Sequence, residues 1–270
     1  MKALTWTSKL VLPLIIFLPL YFIVGALGTK FGLWGYGVGL GFFVLQAGIF
    51  VVGIVAIISL LALIVALFRK PRATRAIMIA AIGVALPLGF VVWGASVGGT
   101  ADANPIHDVA TDTADPPQFS EATMAERKKA EANPLPDYQT PLGQLDPWKD
   151  NPGISEADKG RSHAQFITSE YAQLSPLPTG RTSREDAIAA VATAMEEMGL
   201  SDIRKDEENA LVEGVAETFW YGFKDDVVAR IGDNQIDFRS VSRVGQSDLG
   251  ANAKRIEELR SKVEALLGQS

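Results

Sequence analysis

The sequence predicts two unlike parts. An all-α membrane part of three transmembrane helices comes first, and a small α+β outer domain with an antiparallel sheet and packed helices follows. Three observations carry this reading. Residues 1–100 contain neither Asp nor Glu, and three long stretches within them carry no charge. All 31 acidic residues therefore lie in 101–270, beside 18 of the 25 basic ones, so a +7 half precedes a −13 half. From Ser183 onward the patterning runs helix, strand, strand, strand, helix, the order of helices laid on one face of an antiparallel sheet.

The uncharged runs cover 10–27, 42–68 and 76–97. A hydrocarbon core of about 30 Å takes about 20 helical residues, so each run can span it. Backbone polar groups inside lipid must be satisfied within the segment, which requires helices. The stretch 69–75 holds Arg69, Lys70, Arg72 and Arg75, the amino terminus holds Lys2 and Lys9, and the link between the first two runs holds only Lys30. Positive loops stay cytoplasmic, so the N-terminus is expected inside and everything after Val97 outside. Trp6 then marks the inner interface, and Trp34 and Trp93 the outer one. Ala26, Leu27 and Gly28 resemble a signal-peptide cleavage site, but 18 apolar residues exceed the usual h-region of about 7–15.

The run Gly35-Tyr36-Gly37-Val38-Gly39-Leu40-Gly41 lacks the preceding strand and the acidic residue of a phosphate-binding loop. Small residues four apart (Gly35/Gly39, Gly37/Gly41, Gly94/Gly98) let helices approach closely. They pack the three helices of one chain, or they form a homo-oligomer face. No ionisable residue lies inside a span, so the helices read as an anchor and not a conduit.

Ten of the 14 prolines fall in 98–182. That forbids long regular elements. Three segments are expected: 1–99 the anchor, 100–182 an irregular Pro-rich stretch, 183–270 the outer domain. Residues 106–119 are expected to wrap the domain, and 120–165 to be mostly loose with a short helix near 121–132. Ser183 starts a helix by accepting the N–H three residues on, with Ile188, Val191, Met195 and Met198 on one face. Strands are predicted at 210–219, 223–231 and 235–243, and a last helix from about Asp248 to Leu267.

With Asp233 and Asn234 as a two-residue turn, 231 faces 236 and 230 faces 237. Val227, Ala229 and Ile231 then share a core face with Ile236, Phe238 and Ser240. The other face carries Lys224, Asp226 and Arg230 beside Asp237, Arg239 and Arg243, and Asp226 lies diagonally between Arg239 and Arg243.

Two stretches look like a known family: 219–226 together with 237–252 (DFRSVSRVGQSDLGAN), and upstream 106–119 (IHDVATDTADPPQF). Over roughly 105–268 the chain resembles the bacterial domain of unknown function family 1499. The resemblance implies a compact envelope domain, often carried with membrane helices. It implies no activity and no catalytic residues.

Candidate sites follow from the polar clusters. Asp226, Arg239, Arg243, Ser247 and Asn252 gather near the start of the last helix, where free N–H groups and forked arginine donors suit a phosphate or carboxylate. Alternatively Ser247 or Asp248 caps that helix and the arginines pair with Asp226 on a solvated face. Ser247 invites a nucleophile reading, but Gly-x-Ser-x-x-Gly is one residue longer than a nucleophile elbow, and its base would have to be His107. His107, Asp108 and Asp112, with Asp115, form a weak metal candidate. The absence of cysteine excludes thiolate metal sites and a Cys nucleophile, and no cofactor is expected. A −13 domain repels nucleic acid. The function expected is a multi-pass inner-membrane protein whose periplasmic domain binds a partner membrane or envelope protein, or a polar or anionic ligand, without catalysis. A membrane-tethered hydrolase using Ser247 and His107, and a structural subunit of a membrane complex, are the alternatives.

Overall fold

The computed structural model describes residues 4–146 and 148–268, so Lys2, used above for orientation, lies outside the described residues. The chain forms two compact units, built mainly from 1–98 and from Gly99 onward.

The first unit holds three helices long and apolar enough to cross a membrane. They are α1 (Trp6–Lys30), α2 (Ala47–Phe68) and α3 (Thr74–Ala103). Thr5 caps α1 by accepting the Ser8 N–H. The second span begins earlier than the uncharged run suggested, because a π-helical stretch, Gly37–Gln46, leads into α2. Of the glycines named from spacing, Gly39 is needed inside the chain: a Cβ there would overlap the Thr29 hydroxyl and come 3.1 Å from the Gly25 carbonyl oxygen. Gly83 is likewise walled by Val11 Cγ1 at 2.5 Å and Ser59 Oγ at 2.6 Å. Gly35, Gly37, Gly41, Gly94 and Gly98 have open space around them. The short residues therefore serve close approach at some positions and leave small open surfaces at others.

The second unit is built on one antiparallel sheet. Its strands are β1 (Asp108–Ala110), β2 (Leu177–Pro178), β3 (Ser201–Asp206), β4 (Leu211–Glu217), β5 (Lys224–Ile231) and β6 (Gln235–Ser242). The order is β1-β6-β5-β4-β3, and β2 pairs with the other end of β6. The β5–β6 register is the one the turn dictates: Ile231 opposite Ile236, Arg230 opposite Asp237 and Ala229 opposite Phe238. The helices α7 (Arg184–Glu197) and α8 (Ala251–Leu266) cover one face. Their apolar stripes, Ile188, Val191 and Met195 with Ile256, Leu259 and Val263, join Val212, Val227, Ala229, Ile231, Ile236 and Phe238 in the main core. Ser183 caps α7 as its sequence requires, accepting the Asp186 N–H.

Three expectations are corrected. The short helix expected near 121–132 is α4 (Glu121–Lys129), but the stretch around it is not loose: it forms a 3-10 turn at Leu142–Gln144, α5 (Glu156–Lys159) and α6 (His163–Glu170), and it buries Tyr138, Leu142, Trp148 and Phe166 in the core. Serine caps at 120, 155 and 162 start the three helices. A strand not foreseen, β3, adds an edge beyond β4. Four of its six residues are charged, which suits an edge that must not recruit further strands but hides the alternation that marks a strand. Finally, the second sheet face is not solvated. The segment from Thr111 to Gln139 straps across it, and Phe119, with Leu135 beside it, packs on Val228 and Val241 there.

Candidate functional site

The strap turns the polar sheet face into a buried ionic layer: Arg230 pairs there with Asp112, Asp115 and Asp237, and the layer has three more clusters. At its centre Arg239, 2 % exposed, grips Asp108 with Nε at 3.0 Å from Oδ1 and Nη2 at 2.7 Å from Oδ2. Its Nη1 donates to the Pro117 carbonyl at 3.0 Å. The Tyr138 hydroxyl donates to Asp108 Oδ1 at 2.5 Å, and the guanidinium lies over the rings of Tyr138 and Phe119 at 5.3 and 5.7 Å. Burial pushes the Asp108 carboxyl up, but the charge and hydrogen bonds of Arg239 and the Tyr138 bond outweigh it, so it lies below the usual carboxylate range. Burial and the Asp108 charge raise the Tyr138 phenol well above its ordinary value.

Beside this pair Asp226 sits between two arginines. Arg127 of α4 donates from Nη1 at 2.5 Å, and Arg243 donates from Nη2 at 2.6 Å and from Nε at 3.0 and 3.1 Å. Arg127 also holds the Asn133 carbonyl, and Asn133 bonds Ser242 and Gly245, which ties the strap to the end of β6. In the third cluster Glu213 accepts from the Ser120 N–H, the Ser120 hydroxyl and the Thr123 hydroxyl, anchoring the first turn of α4.

A second polar network lies on the opposite sheet face, under the start of α8. Asn252 bonds the Ser240 and Ser242 hydroxyls and the His107 carbonyl. Arg255 bridges Ser240, Asn252 and Asp225. Asp248 accepts the Gly250 and Asn252 N–H groups, and Asn104 donates to it at 2.6 Å. Burial pushes the Asp248 carboxyl up despite these three bonds. The first N–H groups of α8 are therefore satisfied by a carboxylate of the chain itself. Gly250 begins α8 at φ 80, which requires a residue without a Cβ, and it offers no side-chain cap of its own.

The sequence candidates are thus divided. Asp226, Arg239 and Arg243 share the strapped face, but Arg239 pairs with Asp108 and not with Asp226. Asn252 lies on the other face. Ser247 is half-buried in the loop between β6 and α8, where its hydroxyl accepts the Leu249 N–H at 3.2 Å. The backbone of 106–107 does reach this loop, since the Ile106 carbonyl accepts from Asp248 and the His107 carbonyl from Ser242. The His107 ring points elsewhere: it stacks on Trp148 at 5.2 Å, and neither of its nitrogens makes a hydrogen bond. Asp108 is committed to Arg239, and Asp112 accepts from the Ala114 and Asp115 N–H groups. Among the described residues no three His, Asp or Glu side chains are placed to share a metal ion.

Two features were missed in the sequence. One is an aromatic box in which His163, Trp148, Tyr138 and His107 meet, with centroids 4.9 Å (Trp148–His163), 5.6 Å (Tyr138–His163) and 6.4 Å (His107–His163) apart. The other is a pocket of about 350 Å³ in the strap, with Arg239 and Tyr138 among its walls and Ala114, Pro116, Leu135 and Pro136 around them. The prolines that break regular structure in 113–139 are what leaves this gap.

A family model described as a protein of unknown function (DUF1499) matches residues 108–263, more than half of the chain. The chain belongs to the DUF1499 family. The match begins at β1 and ends within α8, so it takes in the sheet, the strap and both helices that cover the core. No curated protein and no solved structure matches the chain.

Proposed function

We propose that this DUF1499 protein is a membrane-anchored, non-catalytic binding module whose outer domain takes a small polar ligand in the pocket over Arg239. The pocket is the observation that carries the reading. It falls in the size range of small-molecule sites, and its floor is a buried guanidinium held rigid by a bidentate partner. Catalysis is disfavoured because the nucleophile–base pair suggested by sequence, Ser247 with His107, is not bonded: the His107 nitrogens make no hydrogen bond. The partition of charge supports an inner-membrane location with N-terminus and 69–75 cytoplasmic and the domain periplasmic. A partner envelope protein and self-association through the open glycines of the helices fit the same reading.

The test has two parts. The chain has no cysteine, so single cysteines report topology without background. Lys129→Cys should react with a membrane-impermeant maleimide in intact spheroplasts, and Arg72→Cys should react only after lysis; the reverse pattern sinks the orientation. The pocket is tested on the purified full chain by thermal shift with a panel of small carboxylates, phosphates and amides. Stabilisation that Ala114→Trp abolishes supports the site, and no such stabilisation from any compound refutes it.

A further inference from the structure

The structure assigns the ligand of the Arg239 pocket to an uncharged amide-bearing class, a peptide-like or N-acyl group, and not to an anion. This rests on the pocket being the binding site, as proposed above. The charge around the floor decides the class. Arg239 is already neutralised by Asp108 in a contact closed to solvent, where the pair is 2 % and 0 % exposed. A bound anion would bring a second negative charge against one guanidinium in a place with little water to screen it. Asp137, exposed at the rim, and the −13 balance of the second half add repulsion.

A neutral acceptor meets no such penalty. The Arg239 guanidinium lines the pocket while its bonds go to Asp108 and the Pro117 carbonyl, so a carbonyl oxygen set against it leaves the ion pair intact. The rim supplies the complementary acceptors. Gln118 and Gln139 each turn their NH2 group onto strap carbonyls, of Pro116 and Thr113. Their side-chain carbonyl oxygens accept no hydrogen bond among the described residues and are left for an amide N–H. Pro116, Leu135 and Pro136 provide apolar walls. A donor at the floor, acceptors at the rim and apolar walls between them match an amide, which carries one carbonyl, one N–H and apolar flanks.

The experiment uses the full chain in nanodiscs and three probes followed by saturation-transfer NMR: N-acetylalanine methylamide, acetate and inorganic phosphate. The amide should bind with Kd of about 1 mM, as a ten-atom ligand of ordinary efficiency would, and acetate and phosphate at least about tenfold more weakly. Ala114→Trp, at an exposed rim position outside the ion pair, should remove the amide signal while leaving the unfolding temperature in place. Binding of acetate or phosphate that Ala114→Trp abolishes, without amide binding, overturns the ligand class and keeps the pocket. No probe bound in an Ala114→Trp-sensitive way overturns both.

Discussion

Arg239 and Asp108 form a bidentate ion pair between β6 and β1, closed to solvent by the strap. The contact joins residues 131 apart in sequence, so it records the docking of β1 beside β6. A buried pair gives little net stability over an apolar pair, but losing one partner strands a charge. Asp108→Asn should therefore cost about 3–5 kcal/mol in chemical denaturation. The double replacement Asp108→Leu with Arg239→Met should cost clearly less than Asp108→Asn alone. Equal losses would show that the charge is not what the fold depends on.

Glu213 makes a local version of the same argument. Its carboxylate receives three donors from the first turn of α4, at 2.6, 2.7 and 2.7 Å. Glu213→Ala leaves those donors to find water or nothing, at about 1–3 kcal/mol for a buried unsatisfied group. The loss should be local. Amide exchange across 121–129 should accelerate while β5 and β6 keep their protection, and trypsin should cut sooner after Lys128 or Lys129. Unchanged exchange in α4 would refute the anchoring role.

In the membrane unit Gly39 meets Thr29 and Gly25 of α1 with no room for a Cβ. Gly39→Ala overpacks that contact and should lower stability in detergent by about 1–3 kcal/mol. Thr29→Ala removes the overlapping hydroxyl and should recover part of the loss in the double variant. Gly41→Ala, with open space around it, serves as the control and should be near neutral.

How much of this was legible depended on whether a local pattern carried it. The β5–β6 hairpin was readable because Asp233 and Asn234 fix a two-residue turn, and a period of two then assigns every facing pair. The α7 cap was readable from Ser183 because its partner lies three residues on. The strap was not. Proline in 113–141 signals the lack of long elements equally well for a loose chain and for an ordered wrap, and its tertiary partners, Glu213, Asp226 and Arg239, lie about a hundred residues away. Hence the hairpin register sets Asp226 between Arg239 and Arg243, whereas the carboxylate that Arg239 grips arrives from β1. The strand β3 was hidden by its charges.

The aromatic box predicts a pH dependence distinct from that of the carboxylates. Burial pushes the His107 imidazole below its ordinary value, with the Asp108 charge and the nearby Pro134 carbonyl opposing and Arg127 and Arg239 reinforcing. Burial pushes His163 down to about 3, with Asp108 and Asp137 opposing and His107 and Arg239 reinforcing. In the unfolded chain each ring takes a proton near its ordinary value of about 6.5. The native state binds fewer protons than the unfolded one between that value and its own depressed one, so stability is full above about pH 6.5 and falls as pH drops below it. For His163 the slope is about 1.4 kcal/mol per pH unit, and His107 adds to it in the same direction. Asp108, also depressed, loses stability in the same direction but only below about pH 4, so in the window from about 6.5 to 4.5 the imidazoles act against Asp237 and Asp248, whose carboxyls burial raises. His163→Phe keeps an aromatic ring against Trp148 and Tyr138 and removes one titrating group. Denaturation midpoints at pH 7.5, 6 and 5 should fall for the native sequence and fall less steeply for His163→Phe. A flat native profile across that window would show that both rings already accept a proton in the folded domain.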